Sequence, residues 1–344
     1  MGRQENGIRA VCVAGALLAS PLALAADAAL IEAAKKDGSL TWYTTQLIDQ
    51  LGRPLAEAFQ KKYGVRVDYV RADSYVVAQR LISEAQAGKM GADVFDGNSI
   101  TLALKKQNII MKWQPDHAAR LPKQYVDPDG YWTAASSSVI TLGYNNKLVP
   151  PGTQPKTYEE LLDPKWTGKL AWSSLPNPSG SAGFVGNVLI SMGNDKGMDY
   201  LRRLAKQRIV NSPLAARQVL DQVIAGEYPI AANIFRNHAV ISASSGAPSA
   251  WSPLDATMAY SLVYSVTREA PHPNAGKLFV DFVTSRDGQI VIRDADYMTI
   301  DPEVPPRDPA MTLDEKRFHV VYYTPEQLEE QIPKWRSLAK DIFE

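Results

Sequence analysis

Apolar and polar positions alternate between two periods along residues 39 to 97. Leu40-Thr41-Trp42-Tyr43-Thr44 is rich in β-branched and aromatic residues and predicts a short strand. Leu51, Leu55, Phe59 and Tyr63 then recur at helical spacing, with Pro54 suited to a first turn and Gly64 to a stop. Val65, Val67 and Tyr69 alternate with charged residues, as in a half-buried strand. Ser74 is placed to cap a second helix, with Val77, Leu81 and Ala85 on one face and Gly88 beyond its end. Ala92-Asp93-Val94-Phe95 reads as a third strand. The order β-α-β-α-β favours an open parallel sheet.

After about Ser136 the scheme repeats. Lys169 to Trp172 predicts a strand, Ser181 to Met192 an apolar helix, and Asp195 to Gln207 a second helix with Met198, Leu201 and Leu204 inward. Arg208-Ile209-Val210 is a strand ending in Asn211-Ser212. The helix opened by Pro213 packs through Val219, Val223 and Ile224 and stops at Gly226. Tyr228 to Ala232 is a further strand ending at Asn233. Asn274 to Ser285 and Pro325 to Phe343 read as helices, and Tyr297 to Pro309 as a proline-rich extended segment. Ala134 to Leu142 and Leu262 to Val266 are β-rich runs between the halves and read as crossover strands forming a hinge. The expected division is a leader over 1–25, a first lobe over 26–135, a second lobe over 136–261, and a return to the first lobe over 262–344 with the C-terminal helices.

In open α/β sheets, ligands bind outside the carboxyl ends of the strands. Those ends read Thr44-Thr45-Gln46, Ala72-Asp73-Ser74 and Asp96-Gly97-Asn98-Ser99, all small and polar. The segment Ser173 to Gly183 combines Ser, Pro, Asn and Gly ahead of a helix whose first N–H groups and dipole favour an anion. Arg217 falls in the first turns of a helix and Arg236 follows a strand. A guanidinium at a helix start works against the dipole unless an anion or carboxylate is nearby. Tyr75 and Phe235 lie just past strand ends, where they can wall a cleft, and His238 reads as a loop residue.

Lys and Arg number 37, as do Asp and Glu, so the chain lacks the basic excess a nucleic-acid binder needs. One cysteine excludes a disulfide framework and multi-cysteine metal sites. Arg3 and Arg9, the apolar run Ala10 to Ala19, the break at Ser20-Pro21 and the small residues Ala23-Leu24-Ala25 follow the layout of a secretory signal peptide. The run is too short to span a bilayer. Cleavage near Ala26 would remove Cys12 and leave a net charge near −1. The expectation is an exported, periplasmic protein.

Motifs for chemistry are missing. The chain has no Gly-x-Ser-x-Gly, no His-Glu-x-x-His and no phosphate loop. Its histidines, His117, His238, His272 and His319, are too scattered to suggest a metal pair. Ser337-Leu338-Ala339-Lys340 matches Ser-x-x-Lys but lacks partner motifs, and Asp93 with Asp96 reads as a solvated turn. No catalytic residue, metal ligand or cofactor is assigned.

The order of segments carries a resemblance. Trp42-Tyr43-Thr44-Thr45, Ala58 to Val67, Gly91-Ala92-Asp93-Val94-Phe95 and Leu142-Gly143-Tyr144-Asn145 come first. Pro155 to Leu162, Lys165-Trp166-Thr167-Gly168-Lys169, Ala225-Gly226-Glu227, Ala270 to Ala275 and Phe279-Val280-Asp281-Phe282 follow. The chain resembles the extracellular solute-binding proteins of ABC importers, in the branch called ferric-iron binding. That resemblance implies a two-lobed type II periplasmic-binding-protein fold, with two parallel-rich sheets joined by hinge strands. It also implies a monomer that closes on its solute and delivers it to an inner-membrane permease driven by an ATPase. Iron-chelating members bind the metal through adjacent tyrosines after the late strand of the second lobe. Here Asn233-Ile234-Phe235-Arg236 supplies no phenolate. The expected ligand is therefore a small anionic solute such as a phosphonate, phosphate ester or carboxylate, with ferric iron or a ferric complex as the alternative. Candidate ligand contacts are Thr45, Ser74, Asn98, Asn177, Ser179, Gly180, Arg217, Asn233 and Arg236. An exported hydrolase and a sensor-docking module are the competing classes.

Overall fold

The computed structural model describes residues 21–72, 74–98, 100–307 and 319–344. The expected leader up to Ser20 lies outside the described residues.

Helix α1 (Pro21–Asp37) opens the described chain. Its Leu30, Ile31 and Ala34 join the first lobe's core, and the Asp37 carboxylate accepts the Asn274 and Ala275 N–H groups at 2.9 Å. These are orphan donors at the start of a later helix, and a carboxylate there satisfies them and suits the helix dipole. The sequence placed the first lobe from residue 26 but assigned no helix before the strand at Leu40 to Thr44. Strand β1 (Ser39–Thr44), helix α2 (Arg53–Tyr63), strand β2 (Arg66–Arg71), helix α3 (Ser74–Gln86), strand β3 (Val94–Gly97) and the short α4 (Thr101–Lys106) follow. Gly64 ends α2 at φ 72°, a left-handed position that favours glycine. β1 pairs in parallel with both β2 and β3, as the βαβ pattern requires.

Strand β4 (Thr133–Tyr144) carries the chain into the second lobe. There β5 (Leu170–Ser173), α5 (Ser181–Met192), α6 (Asn194–Ala205), β6 (Val210–Ser212), α7 (Ala216–Ala225), β7 (Ile230–Phe235), α8 (Arg236–Ser244) and β8 (Ala250–Ser252) follow. β5 pairs in parallel with β6 and β7. Strand β9 (Ala256–Val266) brings the chain back. Helices α9 (Pro273–Thr284) and α10 (Arg286–Asp294) and strand β10 (Met298–Thr299) complete the first lobe.

β4 and β9 are the crossover strands the sequence suggested. They pair antiparallel from Thr133 opposite Tyr264 to Val139 opposite Ala259. Beyond Val139, β4 turns to β7 and β8, while β9 holds β3 at its other end. One continuous path, β2-β1-β3-β9-β4-β7-β5-β6, therefore joins the two lobes.

The C-terminal part departs from the expected return to the first lobe. β11 (His319–Tyr323) pairs in parallel with β9 over Ala256 to Tyr260. Helix α11 (Pro325–Phe343) then packs on α5 of the second lobe. Leu328, Ile332 and Trp335 are buried in the same core as Leu170, Trp172 and Phe184. Each such apolar side chain contributes about 1.5–3 kcal/mol when fully buried. The Phe343 ring meets Trp172 edge-on at 4.8 Å, and the Asn211 amide donates to the Phe343 carbonyl at 2.9 Å. Two carboxylates on α11 reach back to the first lobe. Glu326 accepts the Trp132 indole N–H at 2.8 Å, and Glu329 accepts the Leu102 N–H at 2.9 Å. The apolar periodicity of Pro325 to Phe343 defines a helix but not which lobe it covers. No described helix is long and apolar enough to cross a membrane.

Close packing of α5 against α11 depends on Gly186, where a Cβ would fall inside the Trp335 ring. Gly186→Ala is expected to destabilise the protein by about 1–3 kcal/mol through overpacking. Denaturant unfolding of variant and wild type measures it.

Candidate ligand-binding site

Asp93, just before β3, and Asp96, inside it, are both fully buried rather than part of a solvated turn. Asp93 accepts the Thr41 N–H at 2.7 Å and the His272 N–H at 2.5 Å. Asp96 accepts the Thr45 N–H at 2.9 Å, the Thr45 hydroxyl, and the Gln46 amide at 3.3 Å, all on one oxygen. The Thr44 hydroxyl is a further donor to this carboxylate. Burial pushes the Asp96 carboxyl above the ordinary carboxylate range, although these donors pull the other way. The candidate Thr45 is thus spoken for by Asp96. Ser74 is the first residue of α3 and half-buried, and Asn98 lies near the buried Tyr260 phenol.

In the second lobe, the Ser/Pro/Asn/Gly loop folds onto itself. The Ser179 hydroxyl donates to Asn177 Oδ1 at 3.0 Å. The Asn233 amide donates to the Pro178 carbonyl at 3.0 Å and the Gly180 carbonyl at 2.9 Å. Asn233 sits inside β7 rather than at its end. A Cβ at Gly180 would overlap the Leu175 carbonyl, and one at Gly183 the Pro178 carbonyl. The glycines therefore let the loop close over the start of α5. Gly180 provides no side-chain cap for that helix.

Arg217 lies in the first turn of α7, donates to Asp221 at 2.9 Å and reaches the His238 carbonyl at 3.4 Å. Arg236 opens α8 and is buried, with its guanidinium over the Trp251 ring at 5.2 Å. His238, which the sequence places in a loop, is on α8 and buried. Its ring lies 5.0 Å from that of Phe235, and Phe235 in turn lies 6.1 Å from Tyr260 on β9. Phe235, which the sequence places past a strand end, is instead the last residue of β7 and meets the crossover strand β9.

Electrostatics shows what the lobes bring together. Burial, then the Arg217 guanidinium, then that of Arg71 lower the His238 pKa to about 3. Arg71 ends β2 of the first lobe and Arg217 begins α7 of the second. The same two arginines and Asp96 act on the buried Tyr297 phenol, whose pKa burial raises. Cations from both lobes thus lie within electrostatic reach of His238 and Tyr297. Sequence reasoning missed Arg71. The strand-end rule would have found it one residue before the Ala72-Asp73-Ser74 segment.

Other candidates fall away from this region. Ser337 and Lys340 are exposed on α11. Among the described residues no three His, Cys, Asp or Glu side chains form a metal-binding cluster. Ile234 is fully buried in apolar surroundings and Phe235 carries no oxygen, so neither can ligate iron. Two depressions of about 200 and 380 Å³ lie on the first lobe, one beside Asn108 and Arg268, the other beside Glu57 and Lys61, and hold none of the groups above.

Two α/β lobes joined by paired crossover strands, with strand ends facing across the hinge, define the type II periplasmic-binding-protein fold. Residues 89–323 match the bacterial extracellular solute-binding proteins, and the chain belongs to that family. This bears out the resemblance carried by the sequence motifs. The chain is similar to the Fe(3+)-binding periplasmic protein of Serratia marcescens, 23% identical over 191 residues. That match covers 55% of this chain and 54% of the Serratia protein, so the chain spans about half the length of that curated relative. Its fold is similar to that of iron-bound HitA from Pseudomonas aeruginosa, with a TM-score of 0.71 and 21% identity over 88% of this chain and 99% of the other. It is also similar to AfuA from Actinobacillus pleuropneumoniae with fructose-6-phosphate bound, at TM-score 0.74 and 18% identity over 89% and 98%.

The unfolded chain protonates an ordinary histidine near pH 6.5, whereas folded His238 stays neutral down to about 3. Between those values the unfolded state holds a proton the native state lacks, so stability falls as pH falls through this window, by up to about 1.4 kcal/mol per pH unit. Between pH 6.5 and 5, wild type should lose about 2 kcal/mol more than His238→Gln. Denaturant unfolding at the two pH values measures the difference.

Proposed function

We propose that the protein is a periplasmic receptor of an ABC importer that closes its two lobes on a small anionic solute such as a phosphonate, phosphate ester or carboxylate. What supports the reading is that Arg71 of the first lobe and Arg217 of the second both act electrostatically on His238 and Tyr297, so both lobes place a cation within reach of the same buried groups. An anion bound between the lobes would be attracted by a guanidinium from each of them. Closure would then be driven by ligand charge, through motion about β4 and β9. Fructose-6-phosphate in the similar AfuA fold supports the phosphate-ester class. In this reading the protein acts as a monomer, catalyses nothing and hands its solute to a permease coupled to an ATPase.

A second reading, a ferric or ferric-complex receptor, is supported by the names of the Serratia relative and of iron-bound HitA. The apolar Ile234-Phe235 pair weighs against direct chelation and leaves an iron complex whose own anion meets the arginines.

A thermal-shift screen of the mature chain against phosphate esters, phosphonates, carboxylates and ferric citrate separates these readings. Binding raises stability by about 2.7 kcal/mol at 100 times the dissociation constant. An organic anion should raise the melting temperature. A response to ferric species alone would favour the second reading. Arg71→Ala and Arg217→Ala should each weaken binding of the responding anion at least tenfold, roughly one charge-assisted hydrogen bond. The exposed Arg71→Ala should leave ligand-free melting nearly unchanged.

A further inference from the structure

We infer that Glu326 and Glu329 of α11 form a latch between the lobes that holds them in the arrangement of this structure, so that the terminal helix sets how readily the ligand-free protein changes its lobe arrangement. The inference does not depend on which solute is bound.

Helix α11 presents two different sides. Leu328, Ile332, Trp335 and Ala339 recur at helical spacing and are buried in the second lobe's core, where Gly186 lets α5 approach the Trp335 ring. A capping box of Thr324 with Gln327 starts the helix directly after β11, which pairs with β9. Glu326 and Glu329 stand one helical turn apart and share the side that meets the first lobe. Glu326 accepts the Trp132 indole N–H at 2.8 Å. Glu329 accepts the Leu102 N–H at 2.9 Å, with the Ala103 N–H as a further donor. Both partners are rooted in the first lobe. Trp132 is buried with Tyr125, Ala134, Val263 and Ile300. Leu102 lies on α4, whose Leu104 is buried with Tyr43, Leu81 and Phe95.

These bonds lie outside the β4–β9 ladder. A rotation of the lobes that bends the ladder moves the first lobe's α4 relative to α11, and so must stretch or break them. Hydrogen bonds to an ionised carboxylate are among the stronger ones in proteins, and a buried indole N–H that loses its acceptor is costly. The first-lobe end of the latch also adjoins the strand-end edge, because α4 follows directly on the Asn98 segment after β3. A solute that favours another lobe arrangement must overcome the latch. Its apparent affinity then scales with the fraction of molecules already in the competent arrangement.

Distances between spin labels test this without any ligand. In the full chain carrying Cys12→Ser, the labels sit at Lys61→Cys on α2 and Lys196→Cys on α6, both exposed positions on opposite lobes. Glu326→Ala combined with Glu329→Ala should change the ratio of lobe arrangements by roughly tenfold per lost bond, read as a broader or second distance peak. Trp132→Phe keeps a ring in place but removes the indole N–H. It should broaden the distribution by itself, and it carries the test if the double variant fails to fold. Glu329→Gln, which keeps an acceptor oxygen, and Glu330→Ala, which removes an exposed carboxylate of the same helix, should both leave the wild-type distribution. An unchanged distribution in the double variant or, where that variant does not fold, in Trp132→Phe overturns the inference. A lower melting temperature alone does not rescue it, since the carboxylates would then be structural only. Equal broadening in Glu330→Ala also overturns it, because lost charge rather than these bonds would be the cause.

Discussion

The antiparallel pairing of β4 with β9 is the constraint on which the structure hangs. β9 is buried along its whole length and β4 everywhere except Ser138. Each strand belongs to both lobes, so the lobes cannot separate without breaking a ladder shielded from water. β3 and β11 attach to β9, and β7, β8 and β10 attach to β4. The first lobe's β1 and β2 follow through β3, and the second lobe's β5 and β6 through β7. The two lobes are thereby tied through these two central strands, with α11 adding contacts to Trp132 and Leu102.

Around the cleft, many polar side chains serve the backbone before they can serve a ligand. Asp96 holds the loop after β1, Asn233 clamps the Pro178 and Gly180 carbonyls, and Ser179 bonds to Asn177. Buried loops carry backbone groups that water cannot reach, so short polar side chains are recruited to them first. Arg217 keeps an ion pair with Asp221 on its own helix, while it and Arg71 of the other lobe both act on His238.

The terminal helix gives the lobes unequal roles. α11 is anchored in the second lobe by Leu328, Ile332 and Trp335, yet Glu326 and Glu329 bond to Trp132 and to the start of α4. α4 follows directly on the Asn98 segment at the cleft. Both α11 and α8 thus touch parts of each lobe.

The sequence by itself determined most elements and their order. Period-two and period-3.6 patterns, with Gly64 and Gly226 as stops, marked β1 to β3, α5 and α11, and the βαβ order fixed parallel pairing, because these signals are local. It also identified β4 and β9 as crossovers and the absence of a tyrosine pair at Ile234-Phe235. It left α1, α4, α8 and α10 unassigned, and it placed α11 with the wrong lobe, since an amphipathic stripe does not name its partner. The site was legible as a set of strand ends but not as a set of contacts. Whether Asn233 holds a loop or a solute depends on the Pro178 and Gly180 carbonyls, which lie more than fifty residues away in the chain. Only the tertiary structure set Arg71 and Arg217 against a buried His238, because electrostatic potential is a property of three-dimensional distance and burial, and neither is encoded in the spacing of residues along the chain.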